Sequence, residues 1–161
     1  MNQSRAKTVL GLLICLLFMP VNGPAAQGNL QLVEDFQQLG NEARQRQIPI
    51  LLMVSQYHCG FCERMREEVL EPMVLSGDYT TRVLIRELRM DPGNTVRDFQ
   101  GERLTAAAYS ARYKTRVTPT LLFLDAQGKE AAERIVGINT VDYLLFYIED
   151  AINEALIHQS K

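Results

Sequence analysis

The stretch Ile50-Leu51-Leu52-Met53-Val54-Ser55-Gln56-Tyr57-His58-Cys59-Gly60-Phe61-Cys62-Glu63 decides the fold. Its first five residues form an unbroken apolar run rich in branched side chains, the pattern of a strand buried on both faces of a sheet. From Gly60 to Leu70 the period changes. Glu63, Arg64, Arg66, Glu67 and Glu68 alternate with Phe61, Met65, Val69 and Leu70 at helical intervals. Cys59 therefore falls where a buried strand hands over to a helix. A helix start presents unpaired N–H groups and partial positive charge, which stabilise a thiolate and depress the first cysteine below the free value of about 8.5. Cys59 is thus the candidate nucleophile. It would open a substrate disulfide to form a mixed disulfide, which Cys62, one turn on and more buried, would resolve; the reverse sequence oxidises a client dithiol.

Length and composition narrow the rest. A chain of 161 residues fits one hydrophobic core and leaves little room for a second catalytic domain. An apolar share of 47% and a charged share of 22% are those of a soluble globular protein. A net charge of −2 gives no broad basic surface, so nucleic acid is not an expected partner. Residues 1–26 differ from the remainder: Arg5 and Lys7 precede an apolar run from Thr8 to Met19, then Pro20, Asn22, Gly23 and Pro24 lead to Ala25 and Ala26. That order is the order of a secretory signal, and the run is short against the roughly 20 residues of a membrane-spanning helix. A cleaved signal over 1–26 and one domain over 27–161 are expected, with an uncleaved anchor as the alternative. Leu12, Leu13 and Ile14 before Cys15 lack the small residue expected at a lipid-attachment site. With Cys15 removed, Cys59 and Cys62 remain, and a bridge across two residues closes almost no loop and adds little stability. Reactivity explains the pair better than architecture does.

Along the chain, Leu32, Val33, Phe36, Leu39 and Ala43 recur at helical spacing, giving a helix that ends near Arg46 and is closed by Pro49. Pro72 is expected to end or kink the helix begun at Gly60. Val83-Leu84-Ile85 with Leu88 reads as a second strand whose polar tail lies nearer an edge, and Asp91-Pro92-Gly93-Asn94 as a turn. Thr95 to Leu104 reads as a surface hairpin or an irregular loop. Thr105 caps a helix to about Tyr113. Thr118-Pro119-Thr120 opens a third apolar strand, Leu121 to Leu124, paired beyond the Asp125-Ala126-Gln127-Gly128 turn with a strand from Glu130 to Val136. Thr140 caps a last helix with the stripe Val141, Leu144, Leu145, Ile148, Ile152, Ala155 and Leu156. This order implies an α/β fold, a central mixed sheet covered by helices on both faces.

Other uses of the two thiols are limited. Zinc needs four ligands, and His58 and His158 are the only histidines, with His58 too close to Cys59 to complete a tetrahedron easily. Covalent haem attachment needs His after the second Cys, where Glu63 stands. No metal or organic cofactor is expected. His58, if protonated, could stabilise the Cys59 thiolate and raise oxidising power; the plainer reading is an exposed turn residue. His158, Tyr143, Phe146 and Tyr147 read as surface or packing residues, and the charges from Glu63 to Glu68 as a wet helix face.

Together, the buried strand, Cys59-Gly60-Phe61-Cys62 opening a helix, Thr118-Pro119 before a hairpin, Gly137 and a closing amphipathic helix resemble the thioredoxin superfamily over about residues 30–157. The segment from Pro92 to Leu104 and the exported context are similar to periplasmic thioredoxin-like thiol:disulfide interchange proteins, including those associated with sulfur-oxidation operons. The resemblance implies that Cys59 attacks, Cys62 resolves, Pro119 is cis, and the Thr118 backbone pairs with an extended client segment, with His58, Gly60 and Phe61 also at the substrate site. Protein clients and a monomer are expected, with a membrane-bound thiol reductase as electron donor if the chain acts as a reductant.

Several positions depart from the family pattern. Tyr57 and His58 replace the Trp that thioredoxins carry before the first cysteine, and Phe61 replaces the motif proline. Met53 stands where cytosolic thioredoxins bury a carboxylate. The Gly-aromatic interior resembles periplasmic disulfide isomerases more than reductases. An oxidase or isomerase, or a binding module that uses the fold without its redox chemistry, are the alternatives to a reductant.

Overall fold

The computed structural model describes residues 30–138 and 141–159; the expected leader over 1–26, Cys15 and Thr140 lie outside them. Helix α1 (Phe36–Arg46) is followed by β1 (Ile50–Ser55), α2 (Gly60–Met65), a π-helical turn (Arg66–Leu70), α3 (Glu71–Ser76) and β2 (Leu84–Arg89). Then come β3 (Thr95–Arg97), β4 (Arg103–Thr105), α4 (Ala106–Arg112), β5 (Thr120–Leu124), β6 (Ile135–Val136) and α5 (Val141–Gln159). Among the described residues the main sheet has the order β2-β1-β5-β6. Strands β1 and β2 are parallel, whereas β1 with β5 and β5 with β6 are antiparallel, so the sheet is mixed.

The apolar run at residues 50–54 is central because both of its faces are covered. Every residue of β1 is buried. Strand alternation sends Leu51 and Met53 to the layer made by α2, the π turn, α3 and α5, and Ile50, Leu52 and Val54 to the layer made by α1 and α4. The two cores thus lie on opposite faces of one sheet, as the sequence leads one to expect.

Three boundaries differ from the sequence reading. Helix α1 starts at Phe36, not Leu32, because the Asp35 carboxylate accepts from Gln38 N–H at 2.9 Å and caps it. Leu32 instead bridges Glu87 in extended conformation, with Val33 N–H donating to Glu87 O at 2.9 Å. The last residue of α1 is Arg46, as read from the sequence, and Gln47 caps that end with a left-handed φ of 54°, two residues before Pro49. Pro72 does not end the dithiol helix. The π turn, in which Glu71 N–H reaches Arg66 O, widens the helix one turn ahead of the residue that has no N–H to give, and the chain remains helical to Ser76. The last hairpin is short: β6 spans two residues, and Glu130 contributes an isolated bridge to Leu124. In α5, Leu145 is exposed, whereas Leu144, Ile148, Ile152 and Ala155 are buried.

The segment between β2 and α4 is a hairpin, β3 with β4. Its turn is held by the Asp98 carboxylate, which accepts from the N–H groups of Gln100 and Glu102 and from Arg112 of α4. Gly128, at φ 83°, closes the β5 hairpin turn against the Phe99 ring, where an added Cβ would approach to 2.4 Å.

Candidate active site

The end of β1 and the start of α2 place the two cysteines. Cys59 is the N-cap of α2 in extended conformation, and it forms a disulfide with Cys62 with the two Cα atoms 5.2 Å apart. The Cys59 sulfur accepts from Cys62 N–H at 3.2 Å, and the Cys59 carbonyl accepts from Cys62 N–H at 2.9 Å and Glu63 N–H at 3.1 Å. The sulfur thus occupies the cap position that elsewhere a serine or aspartate oxygen fills, and negative charge developing there meets the helix N–H groups. Cys59 is half-buried and Cys62 fully buried. That asymmetry suits an attacking sulfur that a client can reach and a resolving sulfur that it cannot.

The loop carrying Cys59 is tied to the end of β2. Ser55 O accepts from Met90 N–H at 3.0 Å, and Tyr57 N–H donates to both Asp91 carboxylate oxygens at 3.0 and 3.1 Å. From the other side the Thr118–Pro119 bond is cis. Thr118 is half-buried, and its hydroxyl lies 3.5 Å from the Cys59 sulfur and 3.4 Å from Gln56 Oε1. Pro119 is buried, and its carbonyl accepts from Gly137 N–H at 2.8 Å.

The remaining sequence-predicted residues sit on the rim. Phe61 and Tyr57 are exposed, as is Val117 just before Thr118, so apolar surface flanks the sulfur on both sides. Gly60 is exposed and has open space where a Cβ would stand. His58 is exposed, and its ring meets Tyr57 edge-on with centroids 4.7 Å apart. His158 lies exposed near the end of α5, away from this constellation in the fold.

Sequence reasoning missed the polar group beneath the site. Glu87 of β2 is fully buried and bonded to Ser55, Arg66 and Arg89. Arg66 therefore leaves the wet face to which the charge run assigned it, while Arg64 and Glu68 pair in solvent on that face. The signal in the sequence was a lone acid between Ile85 and Leu88 inside a strand. Gln56 was also missed; it has no spacing signature and is found by its contact with Thr118.

The comparisons with known proteins agree with this geometry. Residues 36–152, well over half of the chain, match the model of a thioredoxin-like domain. No curated protein sequence matches the chain. Among solved structures it is similar to the DsbH oxidoreductase, at 22% identity and TM-score 0.58, covering 81% of this chain and 90% of that one. It is also similar to thioredoxin f from spinach chloroplast (short form), at 19% identity and TM-score 0.55, covering 79% and 96%. A third is a candidate disulphide isomerase from Bacteroides thetaiotaomicron, at 19% identity and TM-score 0.56, covering 79% and 97%. At these identities the likeness speaks to the fold, and the dithiol geometry speaks to the chemistry. A capped sulfur pair at a helix start, facing a cis-proline loop, within a matching domain, places this chain in the thioredoxin-like domain family as a thiol:disulfide oxidoreductase.

Proposed function

We propose that the chain reduces disulfides of protein clients outside the cytoplasm, with Cys59 attacking and Cys62 resolving. The observation that carries the reading is the sulfur asymmetry beside the Thr118–Pro119 loop: Cys59 is reachable, Cys62 is sealed, and the Thr118 hydroxyl stands 3.5 Å from the Cys59 sulfur. In one turnover the Cys59 thiolate bonds to one client sulfur and expels the other as a thiolate. The Cys62 thiolate then bonds to Cys59 and expels the first client sulfur, leaving a protein disulfide and a client dithiol. An extended client segment would lie along the Thr118 backbone as an added strand, with Tyr57, Phe61, Gly60 and His58 on its flanks.

The export part of the proposal rests on residues 1–26, whose charge, apolar run and small-residue end have the order of a secretory signal that leaves a domain of residues 27–161. The likeness to exported interchange proteins, a monomeric state and a membrane-bound thiol reductase as electron donor belong to the same proposal. Equilibrium titration against glutathione, read by alkylation, tests the direction of electron flow. A potential near or below about −250 mV supports the reductant, and one near −120 to −180 mV replaces it with an oxidase or isomerase.

A further inference from the structure

Strand β2 reads Leu84-Ile85-Arg86-Glu87-Leu88-Arg89, and its alternation sends Leu84 and Leu88 to the α1 and α4 layer. Glu87 goes with Ile85 to the opposite face, the one covered by the dithiol helix and its π turn. Its side chain has 0% exposure. A carboxylate taken out of water must be held by donors. Ser55 Oγ donates to Oε1 at 2.5 Å, Arg66 donates from Nη2 at 2.6 Å and from Nε at 3.1 Å to the two oxygens, and Arg89 Nε lies 3.3 Å away. Burial pushes the Glu87 carboxyl up, but the Arg66 and Ser55 hydrogen bonds outweigh it and hold the group below the usual carboxylate range. One anion therefore lies between two guanidinium groups.

Two of the three partners of Glu87, Arg66 and Ser55, are also built into the dithiol segment. Arg66 stands one turn beyond Cys62, and its backbone N–H donates to the Cys62 carbonyl. Ser55 is the last residue of β1, four before Cys59. Met53, the register partner of Glu87, is fully buried on the same face, as is Met65 of α2. Glu87, Ser55 and Cys62 are all fully buried, while Arg66 and Arg89 keep part of their surface in solvent. Charge at the buried end of the cluster is less screened than charge in open water.

We propose that Glu87 is a positioning residue of the dithiol: by neutralising Arg66 one turn beyond Cys62, it limits how strongly the site stabilises the Cys59 thiolate and so keeps the pair reducing. The proposal rests on the reductant reading above. Without Glu87, the Arg66 and Arg89 charges would add to the field of the helix start and favour the thiolate, hence the reduced form. The other charged or titratable side chains about the segment are His58 and Asp91 on the loop side and Glu63, Arg64, Glu67, Glu68 and Glu71 along the helix, and none of them is substituted in the variants below.

The test measures, in the full chain, the thiolate absorbance of reduced Cys59 against pH. It also measures the equilibrium in which protein disulfide and two glutathione thiols give protein dithiol and glutathione disulfide. Glu87→Gln is expected to lower the Cys59 midpoint and shift the equilibrium toward dithiol by about threefold to tenfold. Arg66→Met is expected to move both the opposite way, and Arg66→Lys, which keeps the charge, to return both toward wild type. A merely structural clamp would weaken the fold in both single variants without opposed shifts. Shifts of the same sign in Glu87→Gln and Arg66→Met, or unmoved midpoints in folded variants, overturn the proposal. Should Glu87→Gln fail to fold, the comparison of Arg66→Met with Arg66→Lys decides it: different midpoints support it, and equal ones overturn it. A wild-type pair that does not titrate sinks the redox reading itself, and a wild-type potential in the oxidising range overturns the reductant reading. Either result takes with it the statement that Glu87 keeps the pair reducing, whereas same-sign or absent shifts about a reducing wild-type potential overturn the proposal alone.

Discussion

At the residue scale, backbone conformation and free space separate positions that look alike in the sequence. Gly60 and Gly128 are both turn-adjacent glycines, but a Cβ on Gly60 meets nothing within 4 Å, whereas on Gly128 it meets the Phe99 ring at 2.4 Å with φ at 83°. Gly60→Ala should leave denaturant stability unchanged or raise it by up to about 1 kcal/mol. Gly128→Ala should lose about 1 to 3 kcal/mol, since both overpacking and left-handed strain act there. Equal unfolding midpoints for the two variants would contradict this account. The cysteines were legible at this scale because the chemistry demands a strand-to-helix junction and the junction shows in the period. Glu87 was not, because a charged residue in a strand reads as exposed until its donors are known. Ser55, Arg66 and Arg89 come from three different elements, and no local pattern joins them.

At the element scale, helix ends are set by caps rather than by apolar spacing. Leu32 and Val33 fit the stripe of α1, but the capping carboxylate of Asp35 starts the helix after them and frees them to extend the sheet edge at Glu87. Asp35→Ala should therefore cost about 1 kcal/mol in chemical unfolding, with Asp35→Asn recovering most of it, as a cap requires. A loss of equal size in both variants would mean that the 3.6 Å ion pair with Arg97, and not the cap, is what Asp35 supplies. Pro72 was legible as a perturbation but not in its outcome. The proline removes a donor, and the π turn ahead of it lets the helix continue and keep Met73 in the core beneath α5. The buried strands β1 and β5 were the clearest elements, because both their faces are apolar and little but a sheet interior accommodates them.

At the scale of the whole molecule, stability should depend on a small set of paired carboxylates. Arg66 and Ser55 hold Glu87 below its ordinary range against the opposing effect of burial. Arg82, with Tyr79, holds Glu149 of α5 low in the same way, tying the last helix to the segment before β2. Burial, with Glu149 beside it, pushes the Tyr79 phenol up to about 12, so it stays a donor to that carboxylate. A carboxyl whose folded pKa lies below its unfolded value of about 4.3 binds more protons when unfolded. Its contribution is complete above that value and is lost as pH falls through the folded one. Unfolding free energy should therefore be flat from about pH 8 to 5 with respect to these groups and decline below about pH 4. In Glu149→Gln the decline should be shallower, and an undiminished acid slope in that variant would remove Glu149 from the account. The mixed sheet and its two helical layers were legible from element order alone, whereas these ties across layers were not, since they join residues far apart in the chain.

The most direct measurement is trapping of the intermediate with a disulfide-bearing protein such as insulin. Reduced Cys62→Ser should accumulate a disulfide between Cys59 and the client that is stable on a non-reducing gel, while Cys59→Ser should accumulate none at neutral pH. If Cys59→Ser traps the client as well as or better than Cys62→Ser, then Cys59 is not the attacking sulfur, and the roles drawn here from exposure and helix position are wrong.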